Sequence, residues 1–310
     1  MSRAIDADAL AVWLREVITR KHRRKGAVVA VSGGIDSTVT VHLVARALGA
    51  RNVIGLYLPE AATAPETSRY VQLATEGVCD LKTVDLTSML EAAGCYRQLD
   101  AVLRSIDVSW SCRTHHFALV LDAAFARRTG SLRYRLRVRP ADEPNASCID
   151  VSLRSTALAE LIAANNLKQR LRMVATYNEA EKHRWAVIGT SNADELDFGF
   201  VVKYGDHSGD VQPLGNLYKS EVYALASQLG VPGEIVLRTP TTDTFSLEQS
   251  QDEYYYAVQP ADMRRLLGQA AGATRGPNHD LALRLRRSGA LLTLEPTRFD
   301  VPVSTTTEVR

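Results

Sequence analysis

Two stretches of this chain combine the residue types that hold anions and the cations that accompany them. The first, Ser32-Gly33-Gly34-Ile35-Asp36-Ser37, puts two glycines, an aspartate and two hydroxyls, with Thr38 following, between a short apolar run at residues 27–31 and an amphipathic one at 38–48. Valines dominate the first run, and Val41, Val44, Ala45 and Leu48 share a helical face, so the local order is strand, tight loop, helix. Glycine permits positive φ and close backbone approach, and the amides that open a helix carry the positive end of its dipole. An anion is the natural guest. Two familiar phosphate loops are excluded, because no lysine follows the glycines and no G-x-G-x-x-G is present. The plain structural alternative is a turn in which Ser37 or Asp36 caps the helix.

The second stretch, "WAVIGTSNADELDFGFVVKYGDHSGDVQPLGNLYK" at residues 185–219, repeats this logic. An apolar run ends at Gly189-Thr190 and releases a polar segment with Glu195, Lys203, Asp206, Asp210 and Lys219. Carboxylates and lysines at the end of a parallel strand suit Mg²⁺ and phosphate. Lys203 and Asp206 as a surface ion pair, worth little, is the alternative. The glycine-rich "YGDHSGD" between the charges favours a loop that orders on a ligand.

These loops need a scaffold that brings strand ends together. A second strand at residues 52–58, a helix at 67–77 and a strand at 81–84 continue the alternation, which predicts an α/β fold: a doubly wound parallel sheet with helices on both faces and the ligand at the carboxyl ends of the strands. The pattern weakens from about 87 to 154, where apolar and charged residues alternate around Pro140, Pro144 and Asn145, the signature of an inserted β-hairpin or lid. A helix at 157–180 and a strand at 185–189 resume the α/β order. The expected organisation is one domain over residues 1–300 with an insertion at about 87–155, followed by a flexible tail at 301–310.

The 310 residues carry a net charge of only +2, which argues against a surface dedicated to nucleic acid. The basic cluster at residues 20–25 fits a solvated helix end as well as a phosphate contact, and a second cluster spans 133–139. Cys79, Cys95, Cys112 and Cys148 form no C-x-x-C, so neither a zinc knuckle nor a redox pair is indicated, and reduced thiols are expected. The first 20 residues suggest an amphipathic helix rather than a signal peptide, and no apolar run reaches membrane-spanning length. A soluble, cytoplasmic protein with no membrane or nucleic-acid partner is expected.

The hexapeptide resembles the pyrophosphate loop of the ATP pyrophosphatases, and five further motifs in order extend the likeness to the NAD synthetase family of that superfamily. They are "NLKQRLRM" at 166–173, "GTSNADE" at 189–195, "GFVVKYGD" at 199–206, "PLGNLYK" at 213–219 and "PTTDT" at 240–244. The resemblance implies an ammonia-dependent amide ligase that converts deamido-NAD to NAD with ATP. It implies that Ser32, Gly33, Gly34, Ser37 and Thr38 cradle pyrophosphate, that Asp36 and Glu195 hold Mg²⁺, and that Thr190, Lys219 and Thr241 contact ATP. Asn166, Arg170, Tyr177, Phe200, Lys203 and Asp210 would lie along the acid substrate, with Asp206 near the ammonia and Asp206, Lys203 and Lys219 as the catalytic set. It further implies a homodimer whose interface completes the acid site.

The chain departs from the family pattern at His207-Ser208, where Gly-Gly is usual, in the long segment between the sheet halves, and at Tyr254-Tyr255-Tyr256. These departures leave a second acid open as substrate, for example one of specialised metabolism. The chain length leaves no room for a glutaminase domain, so free ammonia or a separate glutaminase is expected. A tRNA-modifying enzyme on the same loop would want a basic face and paired cysteines, which this sequence lacks. An inactive nucleotide-binding scaffold would not need Asp36, Glu195, Lys203, Asp206 and Lys219 together.

Overall fold

The computed structural model describes residues 5–242, 245–268 and 276–295. The expected tail at 301–310, and Asp243 and Thr244 of the P-T-T-D-T motif, lie outside the described residues. Seven strands are present among them: β1 (Ala27–Ala30), β2 (Val53–Tyr57), β3 (Asp80–Thr83), β4 (His115–Leu121), β5 (Tyr134–Pro140), β6 (Ile149–Ser152) and β7 (Ala186–Ile188). The first sheet is wholly parallel in the order β3-β2-β1-β7, and the second is antiparallel in the order β4-β5-β6.

Alternation along the central strands sorts side chains to two cores. Val28, Ile54 and Val187 stand side by side in register and pack against the long helix Ser155–His183 and the helix Cys95–Ile106. Val29 and Ile188 point the other way, onto the helices Ala7–Glu16, Ile35–Leu48 and Lys219–Leu229. A parallel sheet covered on both faces reads as continuous apolar runs, as "AVVA" and "VIGLY" do. The expected doubly wound sheet is therefore the observed one, and no helix among the described residues is long and apolar enough to cross a membrane.

The hairpin expected around Pro140 is β5 with β6, paired from Arg135↔Ser152 to Val138↔Ile149. It is one part of a larger unit. β4 pairs with β5 along its whole length, and the helices Thr87–Ala92, Cys95–Ile106 and Ala123–Thr129 occupy the rest of the segment.

Two buried charges hold the long helix to the sheet. Near its C-terminal end, Glu179 accepts from Lys82 Nζ at 2.9 Å, from Lys182 Nζ at 3.1 Å and from the His183 ring at 3.2 Å. Burial pushes its carboxyl up, but these donors outweigh burial and hold it at about 2. A depressed carboxylate stabilises the fold above its unfolded pKa and ceases to do so as pH falls through the folded value. The urea midpoint of Glu179→Gln should therefore lie below that of the parent at pH 7, with the gap closing between pH 4.5 and about 2. A gap independent of pH would contradict this.

At the other end of the sheet, past β2, Lys168 Nζ lies 2.8 Å from Glu60 Oε1, their side chains 4% and 1% exposed. Tyr96 Oη donates to Glu60 Oε2 at 2.7 Å and Ala62 N donates to the same oxygen at 3.0 Å. This network joins the end of β2 to the helix Cys95–Ile106 and to the middle of the long helix.

Candidate active site

A cavity of about 520 Å³ opens at the carboxyl ends of β1, β2 and β7. In the strand order β3-β2-β1-β7 the chain runs outward from β1 in both directions, so the crevice between β1 and β7 is the topological switch point where open α/β sheets bind ligands.

The loop after β1 forms one wall. Gly33 has φ +75°, and a Cβ there would stand 2.6 Å from Cβ of Tyr70, so only glycine fits. Gly34 opens the helix Ile35–Leu48 without a side-chain cap, which leaves the amide end of the helix for another partner. The hydroxyls of Ser32 and Ser37 meet at 3.2 Å, and Ser37 Oγ also bonds Gly34 O at 3.1 Å. Thr38 is fully buried, its hydroxyl on Gly34 O at 2.8 Å, and it braces the loop from beneath. Asp36 caps nothing; its side chain lines the cavity.

Asn192 organises the charged centre. It is buried and caps the helix Ala193–Phe198 in a reciprocal box with Glu195, with Asn192 N to Glu195 Oε2 at 3.2 Å and Glu195 N to Asn192 Oδ1 at 3.1 Å. Its Nδ2 donates to Asp36 Oδ1 at 3.1 Å, so one side chain positions both carboxylates. The other oxygen of Asp36 is paired with Lys219 Nζ. Lys219 opens its own helix, and its backbone N donates to Asp194 Oδ2 at 2.9 Å. Burial and the negative charge of Asp36 raise the Glu195 carboxyl far above the carboxylate range, while Lys219 opposes them.

Among the described residues no group of three or more histidine, cysteine or acidic side chains forms a self-sufficient metal cage. The donor set instead fits Mg²⁺ that brings its own waters and phosphate oxygens: two hard carboxylates on either side of one Asn, with too little positive charge between them for both to ionise. The loop and Lys219 fit the polyphosphate itself.

Asp206 lies on the facing wall. It accepts from Val202 N at 2.6 Å, and burial pushes its carboxyl up to about 6 against the backbone hydrogen bonds that lower it. The ion pair of Lys203 with Asp206 does not form, since Lys203 Nζ donates to Leu294 O at 2.6 Å.

Of the residues singled out from the sequence, Ser32, Gly34, Asp36, Ser37, Thr190, Glu195, Asp206, Lys219, Thr241, Asn166 and Phe200 line the cavity. Arg170, Tyr177, Lys203 and Asp210 lie outside it. Arg170 Nε donates to Lys203 O at 3.2 Å, Tyr177 hydrogen-bonds Asp210, and Asp210 Oδ2 accepts from Val187 N at 2.8 Å, locking the start of the segment to β7. The long helix turns a different stripe inward, comprising Ile162, Asn165, Gln169, Arg172 and Thr176. That i, i+3, i+7, i+10, i+14 spacing is legible in the sequence and was passed over. Asn192, with its part in the capping box, was also missed, although N-A-D-E carries the S/T/D/N-x-x-E signature.

A parallel sheet with this loop at its switch point defines a nucleotide-binding α/β protein of the pyrophosphate-loop type. The model of the NAD synthase family matches residues 7–104 and 139–263. An NH(3)-dependent NAD(+) synthetase of Rhizobium meliloti (strain 1021) is 38% identical over 264 residues, covering 83% of this chain and 76% of the relative. The fold is shared with an NMN synthetase from Francisella tularensis, at a TM-score of 0.64 and 21% identity over 95% of this chain and 99% of that one. It is also shared with an NH3-dependent NAD synthetase from Campylobacter jejuni, at a TM-score of 0.61 and 19% identity over 96% of this chain and 100% of that one. The chain belongs to the NAD synthase family.

Proposed function

We propose that the protein is an ammonia-dependent ligase that amidates deamido-NAD to NAD at the expense of ATP, releasing AMP and pyrophosphate. The observation that carries this reading is the convergence of the Ser32–Ser37 loop, Asp36, Glu195 and Lys219 in one cavity of an NAD synthase family chain. A carboxylate at neutral pH is a poor acyl donor, so it must first be activated. Its oxygen attacks the α-phosphorus of ATP, the bond to pyrophosphate breaks, and an acyl-adenylate forms. Ammonia then attacks the acyl carbon, and the bond to AMP breaks.

The loop amides, the Ser32 and Ser37 hydroxyls and Lys219 take the charge that grows on the departing pyrophosphate. Asp36 and Glu195 would hold Mg²⁺, which neutralises polyphosphate oxygens when bound. Thr190 and Thr241 border the same cavity as contacts for ATP, and Asn166 and Phe200 border it as contacts for the acid. Arg170, Tyr177, Lys203 and Asp210 keep a role toward the acid only in a homodimer in which two chains share the site.

Asp206 receives the proton that ammonium loses before it attacks. Its carboxyl titrates at about 6, so it is ionised and able to accept at neutral pH and becomes unable to as pH falls below that value. The profile of kcat/KM for ammonium should fall on the acid side with a midpoint near 6. Asp206→Asn should lose that limb along with about 10²-fold in rate. An unchanged limb in the variant would assign the titration to another group.

The nitrogen source tests the reading as a whole. Ammonium chloride should support AMP release and amide formation, and glutamine freed of ammonia should not. Glutamine-driven product from the purified protein would overturn ammonia dependence.

A further inference from the structure

The family model leaves residues 105–138 unmatched, and this segment is not peripheral to the site. It contains β4 and the start of β5, whose inward face carries Leu119, Leu121, Tyr134 and Leu136, paired as Leu119↔Leu136 and Leu121↔Tyr134. Leu119 and Tyr134 from this face line the cavity. The small sheet is also stitched to the segment that follows the P-T-T-D-T motif. Phe117 N donates to Ser246 Oγ at 3.0 Å, Leu247 N to Phe117 O at 3.1 Å, and Gln249 Nε2 to Leu119 O at 2.6 Å.

That stitching brings two departures from the family pattern together. Tyr134 packs on Tyr254 with ring centroids 6.1 Å apart, Tyr254 meets Phe200 edge-on at 5.9 Å, and Phe200 stacks on Tyr255 at 5.0 Å. Tyr134, Phe200, Tyr254 and Tyr255 all border the cavity, which gives one end of it an aromatic wall. This is the amide-forming end, because Phe200 lies two residues from Val202, whose backbone N holds Asp206. The opposite end, around Ile35, Thr67 and Arg238, has no such rings and is left for the nucleoside of ATP.

We propose that the insert forms part of the acid pocket and that Tyr134 is a specificity-determining residue, selecting acids whose carboxylate is borne on a flat aromatic ring that packs against Tyr134 and Tyr254. The inference rests on the amide-ligase reading above, under which that ring is the pyridine of deamido-NAD. Ring stacking in a buried wall adds to area burial, and aliphatic acids would forfeit it.

The test is ATP–pyrophosphate exchange with the full chain and the variants Tyr134→Ala and Tyr134→Phe, using deamido-NAD as the acid. Tyr134→Ala should raise KM for deamido-NAD about tenfold, while KM for ATP stays within about twofold. Tyr134→Phe, which keeps the ring, should match the parent in both. An unchanged KM for the acid in Tyr134→Ala, or equal rises for acid and ATP, would overturn the proposal. A parent that ignores deamido-NAD altogether would instead overturn the substrate reading. Exchange with nicotinic acid mononucleotide against aliphatic carboxylic acids then decides the wall. A preference for the aromatic acid that Tyr134→Ala abolishes supports the proposal, and no preference in the parent overturns it.

Discussion

Asp36→Asn should lower AMP formation by about 10²- to 10³-fold, the loss that follows removal of one preorganised electrostatic group from an active site. The replacement keeps the shape of the side chain and an oxygen for Asn192 Nδ2, which donates to Asp36 at 3.1 Å. What it removes is the charge, and a neutral amide oxygen is a far weaker partner for Mg²⁺ and for Lys219 than a carboxylate. The fold should survive the change. Lys219 retains Glu195 as a second negative neighbour, and its helix stays anchored through Lys219 N on Asp194. Circular dichroism and melting temperature close to those of the parent, with AMP release at the floor of the assay, are the expected pair of results. Activity within a few-fold of the parent would remove Asp36 from the metal and phosphate site.

Lys168→Met should produce the largest loss of stability, about 3–5 kcal/mol, because it strands a buried carboxylate. Glu60 is 1% exposed at its side chain and depends on Lys168 for its counter-charge, with only the Tyr96 hydroxyl and Ala62 N beside it. Burial raises the Glu60 carboxyl, and the attraction of Lys168 more than reverses this. The double variant Glu60→Gln with Lys168→Met removes both charges, so it should be clearly more stable than Lys168→Met alone. Urea unfolding of the two variants makes the comparison. Equal midpoints would show that the pair is not coupled in the way its geometry indicates.

The parts of the site that the sequence disclosed are those built from neighbours in the chain. The anion loop is a six-residue device whose glycines, hydroxyls and helix start are contiguous, and Gly33 sits at the positive φ that its type foretells. β1, β2 and β7 are short apolar runs bounded by polar loops, and their order in the sheet follows from alternation with helices. The parallel pairing places their ends together without any further information.

Helix facing was harder to extract. Gln169 and Arg170 differ by about 100° around the long helix, so a motif that contains both does not say which one the cavity receives. The cavity takes Gln169 and Arg172, and Arg170 turns to the Lys203 carbonyl. The insert was least legible. Its alternating charged strand β5 announced a hairpin, but β4, "HHFALVL", is a nearly continuous apolar run whose partners lie on β5 and at residues 246–249. Its role as a cavity wall depends on Tyr134 meeting Tyr254, 120 residues later in the chain, and no local pattern carries such a contact.

Titrating deamido-NAD at saturating ATP, Mg²⁺ and ammonium chloride tests the central claim most directly. AMP and NAD should appear together in equal amounts and saturate with the acid, and neither should form when ammonium is left out. AMP release that deamido-NAD does not stimulate at any concentration would contradict the assignment of this chain's activity.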